Sequence, residues 1–164
     1  MLPIVLALET VSVGLAGIGD GLARREALLA EAGVTPVLII ESDALPDIRV
    51  LFIAGLDRDA SASLAGRAHS AGILVNVEDV PEFCDFHVPA IVRRGDLVLT
   101  ASTGGRAPGL ARRLREWLQE RFGPEWTIRL EDVSQARAGW RADGLAPVEV
   151  AKRTREMISE KGWL

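Results

Sequence analysis

The most restrictive feature of this sequence is an order of elements: a short apolar run, a glycine turn, an amphipathic stretch and a second apolar run. Val11–Ala16 has the length and composition of a buried strand, and Gly17-Ile18-Gly19-Asp20-Gly21-Leu22 follows without a break. The spacing of Leu22, Glu26 and Leu29, and of Ala23, Ala27 and Ala30, predicts a helix over Gly21–Glu31 that stops at Gly33. Val37–Ile40 reads as the next strand. Elements in that order build a parallel sheet, and the turn sets backbone N–H groups at a helix N-terminus where a pyrophosphate can approach. Gly17, Gly19, Asp20 and Gly21 are therefore candidate dinucleotide contacts, although strand-to-helix turns also use glycine for purely structural reasons. The third small residue of such a fingerprint should stand at Leu22, whose side chain is expected to hinder close helix–strand contact, with Gly21 one place early. Glu41 and Ser42 follow the second strand, where an acid commonly meets a ribose; solvated loop residues are the alternative reading.

The next connection is unusually short. Only Glu41–Asp47 separate Ile40 from the apolar run Ile48–Ala54, whereas parallel strands need a crossover of about a dozen residues or more. Such a link spans at most roughly 25 Å when extended, enough to return along a short strand and too little to build a helix. Part of one sheet face is then expected to be thinly covered, open to a partner or repacked. Ile48–Ala54 ends at Gly55-Leu56-Asp57, and a helix is predicted over Ala60–Ala71 with Leu64, Ala65, Ala68 and Ala71 on one side and Gly72 as its stop.

Ile73–Val77 is a further strand, broken by Glu78-Asp79 and Pro81. Its two carboxylates stand at the carboxyl end of a strand, where open α/β sheets bind ligands. A strand over Asp96–Ala101 leads into Ser102-Thr103-Gly104-Gly105, a turn whose free backbone N–H groups suit an anion where a helix opens. That helix, Ala107–Phe122, carries an apolar stripe of Leu110, Leu114, Trp117, Leu118 and Phe122. Beyond Gly123 the pattern is sparser, and a last helix starts at Pro147 and stops at Gly162.

Composition narrows the classes of function. The chain of 164 residues is 48% hydrophobic and 26% charged, as suits a globular protein with its own core. A formal charge of −4 and a pI near 5.3 argue against general nucleic-acid binding. Basic residues nonetheless gather locally, since Arg93, Arg94, Arg106, Arg112 and Arg113 surround the Ser102–Gly105 turn. An arginine fork matches carboxylate geometry, so this zone points to a polycarboxylate ligand. The single cysteine, Cys84, allows no internal disulfide and fits a reducing cytoplasm; beside Phe83 and Phe86 it is expected to be a buried, unreactive thiol. The apolar N-terminal stretch lacks a basic flank and is broken by Pro3, Glu9 and Thr10, so neither a signal peptide nor a membrane span is expected. No HExxH or CxxC spacing occurs, and no metal site is expected. His69 is expected at an exposed helix end, and His87 partly buried and hydrogen-bonded.

Asn76-Val77-x-Asp79-x-Pro81, Cys84-Asp85-Phe86, Pro89-Ala90-Ile91 and Ser102-Thr103-Gly104-Gly105 with Pro108 form a specific set. The set resembles the N-terminal module of siroheme synthases, the precorrin-2 dehydrogenase / sirohydrochlorin ferrochelatase family, over Leu2–Phe122 with a gap after Ser42. The resemblance implies an α/β fold: a shortened Rossmann-like parallel sheet (residues 1–89), a dimerisation strand–helix segment (90–122) and a small helical C-terminal part (123–164). It implies NAD-dependent oxidation of precorrin-2, a tetrapyrrole polycarboxylate, to sirohydrochlorin, with Asp79 in the place of the catalytic acid/base. Some relatives also insert Fe²⁺ into the product. Asp57 would contact the cofactor, beside Leu56 where the family usually has Thr. Ser102, Thr103, Gly104, Gly105 and Arg106 would meet the substrate, and the segment after Pro89 would form a homodimer. The family carries a helix and a strand that the short Glu41–Asp47 link leaves no room for.

Other readings stand beside these. Asp79 can be a turn carboxylate that accepts nearby backbone N–H groups, Asp85 is expected to hold its loop in that way, and Ser102–Gly105 can be a plain turn. For the whole chain, the short link, Leu22 and Leu56 fit a non-catalytic dinucleotide- or tetrapyrrole-binding assembly subunit. A dinucleotide module acting on another substrate follows from fold analogy alone.

Overall fold

Four short runs of aliphatic residues form a sheet: β1 (Val13–Gly17), β2 (Val37–Ile39), β3 (Val50–Ala54) and β4 (Leu74–Val77). All are parallel, in the order β2-β1-β3-β4, with Gly14 opposite Val37, Val13 opposite Val50 and Val50 opposite Leu74. The computed structural model describes residues 2–7, 10–40 and 44–164. The chain divides into two compact units, Met1–Val88 and Pro89–Leu164, and the parallel sheet belongs to the first.

The order explains the short link. β2 and β3 lie on opposite sides of β1, so the chain passes from one flank of β1 to the other between them. The described part of the link, residues 44–49, holds no helix, and it tucks Leu45 and Ile48 against the core. A doubly wound dinucleotide-binding sheet has the order 3-2-1-4-5-6; removing its third strand leaves the arrangement seen here. β2 is consequently an edge strand, with Val37 and Leu38 46% and 64% exposed. The thin cover expected from the sequence is present at this edge.

Alternation along the strands builds a core on each face. Leu51 and Ile53 join Ala16, Ile39, Val75 and Val77 under helix α2 (Arg58–Ser70), whose Leu64, Ala65 and Ala68 are buried. Val50 and Phe52 join Val13 and Leu15 on the other face, where Leu29 of helix α1 (Gly19–Glu31) closes the cluster. Each such side chain fully removed from water contributes about 1.5–3 kcal/mol. Both helices end at glycines with left-handed φ, Gly33 (+76°) and Gly72 (+73°). Asp57 caps α2 by accepting the Ala60 N–H at 2.9 Å.

The second unit opens with an antiparallel hairpin, β5 (Ala90–Arg94) and β6 (Leu97–Ala101). The sequence reading missed β5, because Pro89 and the Arg93-Arg94 pair obscure its apolar pattern. The signal was the two-residue turn Gly95-Asp96, with Gly95 at φ +57° in the first position, as a type II′ hairpin turn requires. Helix α3 (Pro108–Arg121) packs on this hairpin. Arg94 donates to the Phe122 carbonyl at 2.7 Å and to the Gln119 carbonyl at 3.3 Å, placing a cation at the helix C-terminus.

Helix α4 (Trp126–Ala142) was also missed, although α5 (Pro147–Glu160) was expected. Arginines occupy part of the inward stripe of α4: Arg129 stacks on both Trp126 and Trp163, and Arg137 donates to Thr154. A hydrophobicity pattern does not register guanidinium planes as packing surfaces. Residues 123–164 lie in the same compact unit as the hairpin and α3.

Two glycine substitutions should separate close approach from helix propensity. A Cβ at Gly17 would lie 1.9 Å from the Ala54 carbonyl oxygen, whereas one at Gly66, within α2, would meet nothing within 4 Å. Gly17→Ala is expected to cost more than about 3 kcal/mol, and Gly66→Ala to stabilise by about 0.5–1 kcal/mol. Urea unfolding of the two variants measures both values.

Candidate functional site

The carboxyl ends of β1, β3 and β4 bring three turns together. Gly17 lies against Ala54, whose carbonyl accepts the Ile18 N–H at 3.1 Å, and a Cβ on Gly55 (φ +74°) would lie 2.2 Å from the Ile18 carbonyl oxygen. The two turns thus interlock backbone against backbone. Gly21 completes the contact, since a Cβ there would be 2.8 Å from both Gly55 N and a Glu78 carboxylate oxygen. The close approach expected at Leu22 is therefore made by Gly21. Leu22 turns into the core beside Val13 and Leu15, and Leu56 packs against the other cluster. Neither leucine obstructs the turn. Gly19, at φ +60°, faces open space at the N-terminus of α1, where a Cβ would meet nothing within 4 Å. Asp20 lies in the first turn of the helix. Glu41 and Ser42 lie outside the described residues.

Glu78 and Asp79 follow β4. Glu78 N–H extends the ladder to the Ile53 carbonyl at 2.9 Å, and its carboxylate pairs with Arg24 at 3.2 Å. Arg25, one helical turn beyond Gly21, stacks over Phe52 at 5.2 Å. Burial lowers the Arg25 pKa, with Glu78 the largest opposing influence. The sequence reading did not single out Arg24 or Arg25; their signal was position three and four residues after Gly21 on the same helix.

Asp79 has φ +60°, the one positive value at a non-glycine position among the described residues. It is exposed and occupies the third position of the turn Val77–Val80, whose closing N–H···O distance is 3.4 Å. That position ordinarily calls for glycine, and an L-residue there costs on the order of 1–2 kcal/mol, less for Asp or Asn.

Beyond the turn, Cys84-Asp85-Phe86 covers the outer edge of β4. Asp85 accepts the Val75 N–H at 2.8 Å and returns its own N–H to the Val75 carbonyl at 2.8 Å. The Asn76 side chain donates to the Phe86 carbonyl at 2.9 Å, and the Phe86 ring meets Phe52 edge-on at 5.4 Å. Asp85 thus holds its loop, and it also meets His69 at 2.9 Å. Cys84 is half-buried, with its thiol within hydrogen-bonding distance of three backbone groups. His87 is exposed, not partly buried and hydrogen-bonded as expected. Asp57 spends one carboxylate oxygen on the α2 cap.

In the second unit, the Ser102–Arg106 turn is partly self-satisfied. Gly104 N–H donates to Ser102 Oγ, Arg106 N–H to the Thr103 carbonyl and Ala107 N–H to Thr103 Oγ1. The free N–H groups expected from the sequence are reduced accordingly. Among the described residues Gly105 N–H has no partner, and Arg106 is exposed beside it. No group of three or more His, Cys, Asp or Glu among the described residues is placed to hold a metal ion, and no described helix is long and apolar enough to cross a membrane.

Residues 23–90 match the NAD_binding_7 family model, described as "Putative NAD(P)-binding". The siroheme synthase of Methylococcus capsulatus is 32% identical over 149 residues, covering 74% of this chain and 31% of that protein. The chain belongs with the N-terminal modules of siroheme synthases. It spans under half the length of these relatives. The siroheme synthase of Tolumonas auensis is 26% identical over 199 residues, covering 99% of this chain and 42% of its own. An alignment of 199 positions against 164 residues leaves at least 35 without a counterpart here. In the solved structures, SirC, precorrin-2 dehydrogenase, shares the fold at a TM-score of 0.75 and 18% identity, over 96% of this chain and 89% of its own.

The Asp79 backbone generates a stability prediction. Asn tolerates left-handed φ as well as Asp does, so Asp79→Asn should change stability by no more than about 0.5 kcal/mol. Asp79→Val, branched at Cβ, should lose about 1–2 kcal/mol. Equal unfolding midpoints for Val and Asn would contradict the left-handed assignment.

Proposed function

We propose that this chain is a precorrin-2 dehydrogenase of siroheme biosynthesis, acting in the cytoplasm with NAD as hydride acceptor. The observation that carries the reading is Asp79: a carboxylate kept where the backbone calls for glycine, at the carboxyl end of a strand in a parallel sheet. Strain of that kind is retained where the side chain has a task. Asp79 is the general acid/base that takes a proton from the substrate as hydride departs. Gly17, Gly19 and Gly21 are proposed contacts at the α1 N-terminus, where the open space at Gly19 leaves room for the phosphates of a dinucleotide. Asp20, Asp57, Glu41 and Ser42 are further proposed cofactor contacts. NAD, when bound, supplies the electron-pair acceptor. In the second unit, Gly105 N–H and Arg106, with Ser102, Thr103 and Gly104, are proposed donors to substrate carboxylates.

A homodimer through residues 90–122 is part of the same proposal. Leu110, Leu114 and Trp117 form a stripe on α3 that is 54%, 39% and 52% exposed. Sedimentation should give a dimer at micromolar concentration, and Trp117→Glu should shift it to monomer; a wild-type monomer would refute this.

Purified chain is expected to reduce NAD in the presence of precorrin-2. Asp79→Asn should lower that rate by about 10²–10⁴-fold without loss of fold. A variant as fast as wild type would remove Asp79 from the reaction. Wild type that binds dinucleotide or tetrapyrrole without turnover would favour the assembly-subunit reading, which the missing helix–strand unit supports.

A further inference from the structure

Cys84 has no part in the chemistry proposed above, yet its thiol is aimed at the turn that carries Asp79. Its Sγ lies 3.2 Å from Val77 N, 3.2 Å from the Val77 carbonyl oxygen and 3.4 Å from the Val80 carbonyl oxygen. Val77 and Val80 are the two ends of the four-residue turn. The turn's own closing bond, Val80 N–H to the Val77 carbonyl, is 3.4 Å, long for an amide hydrogen bond. A left-handed residue held by so weak a closure needs support from outside, because its backbone gains by relaxing to negative φ.

On the helix side, the Arg24–Glu78 pair holds the residue before Asp79. On the opposite side, the one group among the described residues that reaches both ends of the turn is the Cys84 thiol. A thiol has one proton and lone pairs, so it accepts the Val77 N–H and donates to one carbonyl at a time. The long C–S bonds let it bridge both ends from a neighbouring loop. That loop is itself anchored, through Asp85 to Val75 and Phe86 to Asn76.

We propose that Cys84 is a positioning residue for Asp79: its thiol ties the ends of the Val77–Val80 turn and keeps the Asp79 backbone left-handed. For catalysis this rests on Asp79 being the acid/base; for conformation it stands alone.

Three variants of the full chain test it. Cys84→Ala removes the bonds, Cys84→Val fills the volume without a donor, and Cys84→Ser keeps donor and acceptor on a shorter arm. The first measurement is the intraresidue amide–Hα NOE of Asp79 in labelled protein, which is strong at positive φ. It should weaken in Ala and Val and persist in Ser; persistence in all three overturns the proposal. The second is precorrin-2 oxidation, where Ala and Val should lose roughly 10–100-fold in kcat, the scale of small misplacements of a catalytic group. KM should stay within about two-fold, and Ser should recover most of kcat, a split that general destabilisation would not produce. Unchanged kcat in Ala and Val also overturns it. If one variant fails to fold, the other and Ser carry both measurements. A wild-type chain without turnover sinks the dehydrogenase reading instead, and the NOE then decides this proposal alone.

Discussion

The first unit depends on a contact between two turns that leaves no room for side chains. Gly17 sits on the Ala54 carbonyl, and Gly55 sits on the Ile18 carbonyl. This reciprocal contact brings the ends of β1 and β3 together in register from Val13–Val50 to Gly17–Ala54. It also sets the N-terminus of α1 beside the ends of β3 and β4, since Gly21 closes on Gly55 and Glu78. A methyl group at any of these positions would push apart the elements whose ends make the crevice. Side-chain packing on the two sheet faces supplies most of the stability; the glycine contact decides where the crevice is.

The edges of the sheet are managed in different ways. Among the described residues β4 has no further strand beside it, and its outer backbone groups at Val75 and Val77 are met by Asp85 and Cys84. A short segment thereby does the work of an edge strand and blocks pairing with another chain. Because the same segment reaches the Val77–Val80 turn, edge protection and the placement of Asp79 are one structural task. β2 at the other edge is left with exposed Val37 and Leu38, on the flank where no further strand follows among the described residues. The short link is compatible with this order because β1 pairs directly with both β2 and β3, so the centre of the sheet needs no strand beyond β2.

Much of this was legible in the residues. The order of strands and helices from Val13 to Val77 followed from short apolar runs, helical spacing and glycine stops, since period and turn chemistry are local properties. The length of the Glu41–Asp47 link showed that no helix fits between the second and third apolar runs; that a helix and a strand of the family are absent there came from the resemblance. Asp79 was singled out through its place after a strand and its motif, and Asp85 was recognised as a residue that holds its loop. Strand β5 and helix α4 were harder, because arginines interrupt the first and pack as part of the second.

The sequence by itself determined the class of fold, the parallel run of strands and the group of residues around Asp79, because each rests on local pattern and spacing. Only the tertiary structure decided which glycine makes the close approach, that Leu22 and Leu56 turn inward, that Asp79 is left-handed and that Cys84 reaches it. These depend on contacts between segments far apart in the chain, and the direction of a side chain across such a contact is set by the neighbour it meets.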